Sequence, residues 1–495
     1  MDPQIVVHKL HAAFRSGKTR PIEFRKQQLQ RLHDLLTENK DDLIRVLRED
    51  LRKPTTEAIL AEIQYTLNEV CEAMNELDDW VAPEYVPKNL INKMNTIYNI
   101  YEPLGVSLII GAWNYPVQLI LAPFICAIAA GNCALLKPSE LSENTAELIE
   151  SLVSKYMDRD CYAVMQGGVK ETTEILKCRF DHVFYTGSTV VGKIVARAGV
   201  EHLSKITLEL GGKSPCYVSK DSDIRLASRR IIWGKFSNAG QTCIAPDYVL
   251  CHPSVQDELI KQMRETIQEF FGEEPKESSD FGRIINSRHF DRLQKLMSSG
   301  RTVIGGNVVE EEKYIAPTVM VDVSQSDPIM QEEIFGPLLP VINVEDTDQA
   351  IDFINGREKP LALYVFAKDQ QTMDKFVAET SSGGFCGNDT LIYFSAEHLP
   401  FGGVGHSGTG AYHGKIGFEE FSHKKAVYVT KQAMESVNTL RYPPYNDTNL
   451  KRIVWLLGKG LKRTPSDLWY IPCMLLGILF SFIMKIIGLP RYFLS

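Results

Sequence analysis

The spacing of apolar residues changes along the chain, and each change predicts a different kind of element. Over residues 5–77 apolar residues recur three or four positions apart, as at Leu29, Leu32 and Leu36, with charged residues between them. This spacing places the apolar side chains on one face of a helix, so several surface helices are predicted. Residues 96–101 alternate instead, and they predict one strand of an antiparallel pair.

Short apolar runs separated by longer amphipathic stretches follow. They predict buried strands alternating with helices, which is typical of an α/β fold with a doubly wound parallel sheet. The first series is 106–112, 134–136, 182–185 and 206–210. The second series includes 248–251, 315–323, 340–344 and 361–367. Because the chain has 495 residues, too many for one ordinary core, we expect two such domains.

Residues 470–489 form an almost unbroken apolar stretch. As a helix rising about 1.5 Å per residue, it would span ~30 Å, the thickness of a bilayer core. Basic residues such as Lys451 and Lys459 precede it, as on a cytoplasmic flank. We predict a basic linker over 446–469 and a C-terminal transmembrane helix over 470–489, with the body of the protein in the cytosol. A helix packed on the body, or lying in the membrane plane, is the alternative.

Composition narrows the possible partners. The 62 acidic and 54 basic residues give a net charge of -8, which argues against a nucleic-acid partner and favours a small organic substrate. Ten cysteines lie in apolar stretches without paired spacing, which indicates a reducing compartment. The eleven histidines form no recognisable ligand set, so no metal site is predicted.

Two glycine-rich motifs carry candidate chemistry. Glu209 ends an alternating apolar run just before a pair of glycines, and Cys243 follows the sequence Gly-Gln-Thr. A thiol among small residues can reach a substrate, and a glutamate aimed at the same point can act as a base. Most cysteines are packing residues, but only Cys243 follows such a turn. The pair suggests covalent thiol catalysis with a water-activating carboxylate.

A candidate cofactor site lies in the first α/β series. A strand end, a glycine turn and a helix start are predicted at Tyr185, Thr186, Gly187, Ser188 and Gly192. The N-terminus of a helix binds pyrophosphate through its free N–H groups and its dipole. The glycine spacing alone is weak evidence, because it is not Gly-x-Gly-x-x-Gly, and an ordinary turn is the alternative. Lys137 and Glu140 follow a second apolar run, where the strand ends of such a sheet can hold a ribose.

Over nearly its whole length, the chain resembles the aldehyde dehydrogenase superfamily, and most closely the class 3 branch that includes membrane-anchored fatty aldehyde dehydrogenase. Besides the Glu209 and Cys243 motifs, the matching blocks follow the family's order. They are Gly-Ala-Trp-Asn-Tyr-Pro at 111–116, Lys-Pro-Ser-Glu at 137–140, Phe-Tyr-Thr-Gly-Ser at 184–188, Glu-Glu-Ile-Phe-Gly-Pro at 332–337 and Pro-Phe-Gly-Gly at 400–403.

The resemblance implies NAD-dependent oxidation of medium- and long-chain aliphatic aldehydes to carboxylic acids through a thiohemiacetal and a thioester on Cys243. The Asn114 amide and the Cys243 backbone N–H would hold the oxyanion. Glu209 matches the superfamily's usual base, while class 3 enzymes have also been assigned a base at the position of Glu333. Both glutamates remain candidates.

The resemblance also implies how the cofactor is held. Lys137 and Glu140 would bind the adenosine ribose, and the Glu140 carboxylate would repel a 2′-phosphate, which favours NAD over NADP while leaving NADP possible. Glu333 and Phe335 would approach the nicotinamide ribose. Lys193 and Lys213 are interpreted as solvated or structural, and Tyr115 and Trp233 as candidates for an apolar substrate funnel.

Domain boundaries and location follow by the same analogy. Residues 1–80 and 104–205 would form the NAD-binding domain, residues 206–394 the catalytic domain, and residues 81–103 with parts of 395–445 a bridging segment of a homodimer. The endoplasmic reticulum membrane is the favoured location. A CoA-acylating dehydrogenase, a thiol esterase and a non-catalytic membrane scaffold are the alternatives. The two glutamates favour water as acyl acceptor, and Cys243 together with Asn114 argues against the scaffold.

Overall fold

The computed structural model describes residues 2–88, 92–396, 398–432 and 435–458. Within these ranges, no helix is both long and apolar enough to cross a membrane. The predicted anchor and the linker from residue 459 onward lie outside the described residues. The described residues form two compact units: those within 2–83 and 100–425, and those within 84–99 and after 425.

The elements have the following bounds. The strands are β1 (Glu84–Tyr85), β2 (Thr96–Pro103), β3 (Val106–Ile110), β4 (Cys133–Lys137), β5 (Tyr162–Val164), β6 (His182–Gly187), β7 (Lys205–Leu210), β8 (Pro215–Val218), β9 (Tyr248–Cys251), β10 (Arg301–Ile304), β11 (Val308–Val309), β12 (Tyr314–Ile315), β13 (Thr318–Val321), β14 (Leu338–Asn343), β15 (Ala362–Phe366), β16 (Gly384–Gly387), β17 (Gly408–Thr409) and β18 (Ser422–Val429). The helices are α1 (Pro3–Arg15), α2 (Ile22–Glu38), α3 (Lys40–Leu51), α4 (Thr55–Glu57), α5 (Tyr65–Trp80), α6 (Gln118–Ala130), α7 (Glu143–Tyr156), α8 (Val169–Leu176), α9 (Thr189–Glu201), α10 (Ile224–Phe236), α11 (Pro253–Phe271), α12 (Ser287–Leu296), α13 (Thr347–Asn355), α14 (Gln370–Glu379), α15 (Gly414–Glu420), α16 (Glu435–Asn438) and α17 (Asp447–Leu457).

The N-terminal helices α1 to α5 confirm the helical spacing of residues 5–77. Leu29, Leu32 and Leu36 are completely buried along one face of α2. A π-helical segment, Ala58–Gln64, separates α4 from α5 and carries Glu62 into the interior. There Glu62 pairs with the equally buried Lys53, and its carboxylate accepts hydrogen bonds from the backbone N–H groups at the start of α6.

The first sheet has the order β17-β7-β6-β3-β4-β5, and its strands are parallel except for β17. β3 lies between β4 and β6. The strands that follow β3 along the chain are therefore added first on one side of it and then on the other, so the strand order reverses at β3. The carboxyl ends beside such a reversal form the crevice where doubly wound sheets bind ligands. Ile110 pairs with both Lys137 and Tyr185, and Thr186 pairs with Glu209. The register therefore brings four predicted site residues to one edge.

The second sheet has the order β10-β13-β14-β9-β8-β15-β16, and only β10 pairs antiparallel. It confirms the second α/β series. The single strand predicted over residues 315–323 is wrong, because β12 and β13 are separate and belong to different sheets. Pro317 lies between them and has no N–H to donate to a ladder, which ends the first strand.

A third sheet has the order β1-β2-β18. β1 pairs antiparallel with β2 through Glu84 with Asn99 and Tyr85 with Tyr98, as the alternation of residues 96–101 predicted. The rings of Tyr85 and Tyr98 lie 5.6 Å apart. The paired residues of β1 and β2, and β18 from residue 426 onward, belong to the smaller unit.

Candidate active site

The backbone before Cys243 is held in an unusual conformation. Asn238, Ala239 and Gly240 all have positive φ angles, of 51°, 53° and 75°. This region is unfavourable for residues with a side chain by roughly 1 kcal/mol each, so the surroundings must fix it. The side-chain amide of Asn238 donates to the Gln241 carbonyl at 3.1 Å, and the backbone N–H of Asn238 donates to the Glu57 carboxylate at 2.9 Å. These hydrogen bonds fix the backbone of the turn that precedes Cys243.

Gly240 could not be replaced without moving the turn. A Cβ at this position would lie 2.2 Å from the Gly336 carbonyl oxygen, which belongs to the backbone and cannot rotate away. The glycine therefore serves both the positive φ angle and the close contact. It ties the Cys243 turn to the loop that carries Glu333 and Phe335.

Cys243 opens into a cavity of about 360 Å³. Its walls are largely aliphatic and aromatic, and they include both Tyr115 and Trp233, as the sequence suggested. Other apolar lining residues are Leu60, Leu119, Leu210, Ile244, Leu361, Leu391, Ile392, Phe394, Phe401 and Tyr412. Polar atoms make up a small part of its surface, and the polar lining residues include Glu57, Gln118, Thr186, Glu209, Thr242 and His413. An apolar chamber with a few placed polar groups is typical of a small-molecule site.

Glu209 lies in this chamber with no hydrogen-bond partner for either carboxylate oxygen among the described residues. It is 3% exposed. Burial raises the pKa of the Glu209 carboxyl well above its usual range, and the negative charge of Glu420 adds to the shift. A carboxylate with free oxygens and raised pKa in a cleft is suited to accept a proton.

The Cys243 thiol is not a free thiolate at rest. Burial raises the pKa of Cys243, and the carboxyl groups of Glu333 and Glu209 raise it further. Two acids near one thiol favour its neutral form. A proton acceptor is therefore needed before the sulfur can attack.

Glu333 lines a different space from Cys243. It borders an open cleft of about 1,050 Å³ together with Gly211, Gly212 and Lys213. A Cβ on Gly211 would lie 2.0 Å from a Glu333 carboxylate oxygen, so the glycine lets the carboxylate approach the backbone. Burial raises the pKa of Glu333 to about 8, with Asp247 adding to the effect and the Gly212 backbone hydrogen bond opposing it.

Asn114 is hydrogen-bonded to the loop that carries Cys243. Its side chain is 2% exposed, and its amide donates to the Gln241 carbonyl at 3.0 Å. Its backbone carbonyl accepts from Lys53 at 2.8 Å and from the Asn238 amide at 2.9 Å. An amide has two N–H donors, so one remains for a ligand beside Cys243.

The predicted cofactor residues lie together at the carboxyl edge of the first sheet. Lys137 is buried, and its ammonium contacts the exposed Glu140 carboxylate at 2.6 Å. Ser188 caps α9, accepting from the Val191 backbone N–H at 3.4 Å. A Cβ on Gly192 would lie 2.7 Å from Leu210, so the glycine allows α9 to approach the sheet closely.

These residues fit a dinucleotide. The start of α9 offers free N–H groups for phosphates, and Lys137 with Glu140 offers polar partners for a ribose. Val190 and Ile194 on α9 are 74% and 53% exposed, which leaves apolar surface near the phosphate site for a flat base. The Thr186 hydroxyl is buried and without a partner among the described residues.

The remaining predicted residues are placed as follows. The Tyr185 hydroxyl donates to the Ser188 carbonyl at 3.4 Å and covers Gly187, whose Cβ would lie 2.3 Å from that hydroxyl. Phe335 packs edge-on against Trp113 at 5.2 Å. Lys213 is largely buried and donates to Asp247 and to two backbone carbonyls, so its role is structural. Lys193 is exposed.

Sequence reasoning missed several contacts around these residues. Asn238 and the buried Lys53–Glu62 pair brace the Asn114 and Cys243 loops, and Tyr412 lies in the cavity wall. Their sequence neighbourhoods contain no chemical pattern, because the contacts join residues up to 181 positions apart. As for metals, no cluster of three or more His, Cys, Asp or Glu that could hold an ion occurs within the described ranges.

Known proteins are similar to this chain over most of its length. The aldehyde dehydrogenase family model matches residues 2–427. The mouse dimeric NADP-preferring aldehyde dehydrogenase is 50% identical over 439 residues, which is 89% of this chain and 97% of the mouse protein. Mouse aldehyde dehydrogenase family 3 member A2 is 47% identical over 474 residues, covering 96% and 98%. The substrate-bound structure of Staphylococcus aureus AldH superimposes with a TM-score of 0.90 at 42% identity, covering 92% of this chain and 99% of that one.

Proposed function

Because this chain belongs to the aldehyde dehydrogenase family, as an NAD(P)-dependent oxidoreductase that acts on aldehydes, we propose that its substrates are medium- and long-chain aliphatic aldehydes. The observation that carries the proposal is the largely apolar cavity of about 360 Å³ that contains Cys243 and Glu209. An alkyl chain is stabilised there by roughly 0.8 kcal/mol for each buried CH₂ group. The products are the corresponding carboxylic acids.

Cys243 is the nucleophile of this proposal. Glu209 accepts the thiol proton, and the sulfur then attacks the aldehyde carbonyl carbon to form a thiohemiacetal. The free N–H of the Asn114 amide and the Cys243 backbone N–H donate to the developing oxyanion. The hydrogen bond from Asn114 to the Gln241 carbonyl supports this role, because it fixes the amide beside the Cys243 loop.

NAD, with NADP as a possible second cofactor, supplies the oxidising equivalent when bound by accepting hydride from the carbon attached to Cys243. Tyr185, Thr186, Gly187, Ser188 and Gly192 form the phosphate side of its site in this proposal. Lys137 and Glu140 hold the adenosine ribose, and Glu333 with Phe335 holds the nicotinamide ribose. The open cleft that Glu333 borders also includes Thr189 at the start of α9, which supports placing Glu333 on the cofactor side.

Glu209 is the base that activates water in the second half-reaction. It shares the apolar cavity with Cys243, and both of its oxygens are without protein partners in the described structure. Glu333 borders the polar cleft and accepts a hydrogen bond from the Gly212 backbone. The carboxylate in the cavity is thus better placed to reach a thioester on Cys243.

NADH formation at 340 nm, with hexadecanal in detergent as substrate, tests the function. The wild type should form NADH, and Cys243→Ala should lose ~10⁴-fold or more in rate, because no other group replaces the nucleophile. Propanal is the comparison substrate, and a higher kcat/KM for hexadecanal is expected. Wild-type protein that binds NAD yet oxidises neither aldehyde would contradict the assignment.

Three further features belong to this proposal. Residues 470–489 anchor the enzyme in the endoplasmic reticulum membrane with its catalytic domain in the cytosol, and residues 81–103 with parts of 395–445 bridge a homodimer. The NAD-binding domain is 1–80 with 104–205, and the catalytic domain is 206–394. The apolar stretch and its basic flank support the anchor, and a relative called dimeric supports the dimer.

Membrane extraction and light scattering test the anchor and the dimer. The full chain should stay with membranes in alkaline carbonate, whereas a chain ending at residue 445 should be released. In light scattering, the detergent-solubilised full chain should have twice the mass of one 55.8 kDa protomer. A full chain extracted by carbonate, or of monomeric mass, would contradict the corresponding feature.

A further inference from the structure

Tyr412 is a buried phenol that the mechanism above does not use. Its side chain is completely buried, and its hydroxyl has no hydrogen-bond partner among the described residues. Leaving a buried polar group without a partner costs roughly 1–3 kcal/mol. Such a group in a cavity wall therefore points to a partner that arrives with the reaction.

The ring is held in one position. It packs edge-on against Phe184 at 5.1 Å, Phe401 at 5.9 Å and His413 at 4.2 Å. The backbone of Tyr412 exchanges two hydrogen bonds with Phe401, of 2.9 and 3.2 Å. A side chain fixed by packing on several sides presents its hydroxyl at a defined point.

The ring lies near the reacting groups. Tyr412 lines the same cavity as Cys243 and Glu209. Gly408 of β17 pairs with Glu209 of β7, and Tyr412 lies three residues after the end of β17. Burial raises the pKa of the Tyr412 phenol, and the nearby Glu209 and Cys243 groups raise it further. The phenol therefore keeps its proton and can donate a hydrogen bond.

Two complementary groups therefore meet in one apolar chamber. Glu209 offers acceptors, Tyr412 offers a donor, and neither is satisfied by the described protein residues. A water molecule in a protein interior needs two to four polar partners and room of its own. The cavity of about 360 Å³ supplies the room, and these two side chains supply the partners.

We propose that the Tyr412 hydroxyl positions the water that hydrolyses the acyl-enzyme, by donating a hydrogen bond to its oxygen while Glu209 accepts one of its protons. The water oxygen then bonds to the acyl carbon, the carbon–sulfur bond breaks, and the sulfur leaves as the Cys243 thiolate. Glu209, which released the thiol proton to solvent after the first half-reaction, takes the proton from water and returns it to the Cys243 thiolate, and the carboxylic acid is the product. This proposal rests on the thioester chemistry assigned to Cys243 above.

Tyr412→Phe tests it, because the substitution removes one oxygen and keeps the ring. In stopped flow with hexadecanal and NAD, the variant should show a burst of one NADH per site, followed by a steady state about tenfold slower than that of the wild type. The burst counts only active sites, so a misfolded fraction does not affect the comparison. Tyr162→Phe is the matched control, since Tyr162 is also buried with an unpartnered hydroxyl but lies on β5 outside the cavity.

Hydroxylamine separates water positioning from a structural defect. It attacks the thioester without needing the water site, so it should restore Tyr412→Phe turnover to the wild-type rate with hydroxamate as product. An unchanged steady state, a slowed first turnover, or slow turnover that hydroxylamine does not restore would overturn the role of Tyr412. A wild type that forms no NADH would instead contradict the proposed function.

Discussion

The apolar cavity around Cys243 and the polar cleft beside Glu333 place the same functional group in two different environments. In the cavity, the Glu209 carboxylate has no protein partner within the described structure. In the cleft, Glu333 lies against the Gly211–Gly212 backbone, near Asp247 and Lys213. Burial raises the pKa of both acids, but the neighbouring groups decide what each carboxyl can do. Both Glu209 oxygens are free to take a proton, whereas only Oε1 of Glu333 is without a partner among the described residues and its carboxylate is held by the Gly212 backbone.

Loss of the Asn114 amide donor beside the Cys243 loop should have the largest effect among the variants that keep Cys243 and both carboxylates. Asn114→Ala removes one donor to the oxyanion and is expected to lower kcat by ~10²–10³. Steady-state NADH formation measures the loss, and NAD titration by tryptophan fluorescence is the control. An NAD Kd that rises in parallel with the loss in kcat would mean that Asn114 serves the cofactor side instead.

A change on the cofactor side should alter selectivity while leaving the cavity chemistry intact. Glu140→Gln removes the exposed charge beside Lys137 that would repel a 2′-phosphate. The ratio of kcat/KM for NADP to that for NAD should rise on the order of five- to tenfold, a small effect because the pair is solvent-exposed on one side. Glu201→Gln, at the far end of α9, is the control, and an equal change in both variants would remove Glu140 from the ribose site.

The smallest expected effect concerns stability. Burial raises the pKa of Glu333 from 4.5 to about 8, so between these values the folded protein binds a proton that the unfolded chain has released. The contribution of this group to stability is therefore present at low pH and falls as the pH rises from about 4.5 to about 8. Scanning calorimetry should show a smaller decrease in Tm between pH 6 and pH 8.5 for Glu333→Gln than for the wild type. Equal decreases would contradict the raised pKa.

Much of this organisation was predictable from the sequence, for definable reasons. Buried parallel strands are continuous apolar runs, so β3, β6 and β7 stand out, and the glycine-flanked Glu209 and Cys243 mark the strand end and the turn. Pro317 shows the limit, because an apolar run from 315 to 323 conceals a break between two sheets.

The environments of the site residues were not predictable. Whether Glu209 or Glu333 is free depends on which backbone atoms surround each carboxylate, and those belong to distant segments. Tyr412 looks like an ordinary core aromatic in the sequence, and only the fold shows its unpartnered hydroxyl in the Cys243 cavity. Packing between elements carries this information, and periodicity does not.

The central claim is that the carboxylate in the cavity, and not the one in the cleft, activates water. Stopped-flow NADH formation with Glu209→Gln and Glu333→Gln, each supplied with hexadecanal and excess NAD, tests it most directly. At a pH high enough to form the thiolate, Glu209→Gln should give a burst of one NADH per site and then almost no turnover. Mass spectrometry should then detect the accumulated acyl group on Cys243. Glu333→Gln should turn over without accumulating acyl-enzyme. The reverse pattern, with the acyl group trapped only in Glu333→Gln, would make Glu333 the residue that activates water.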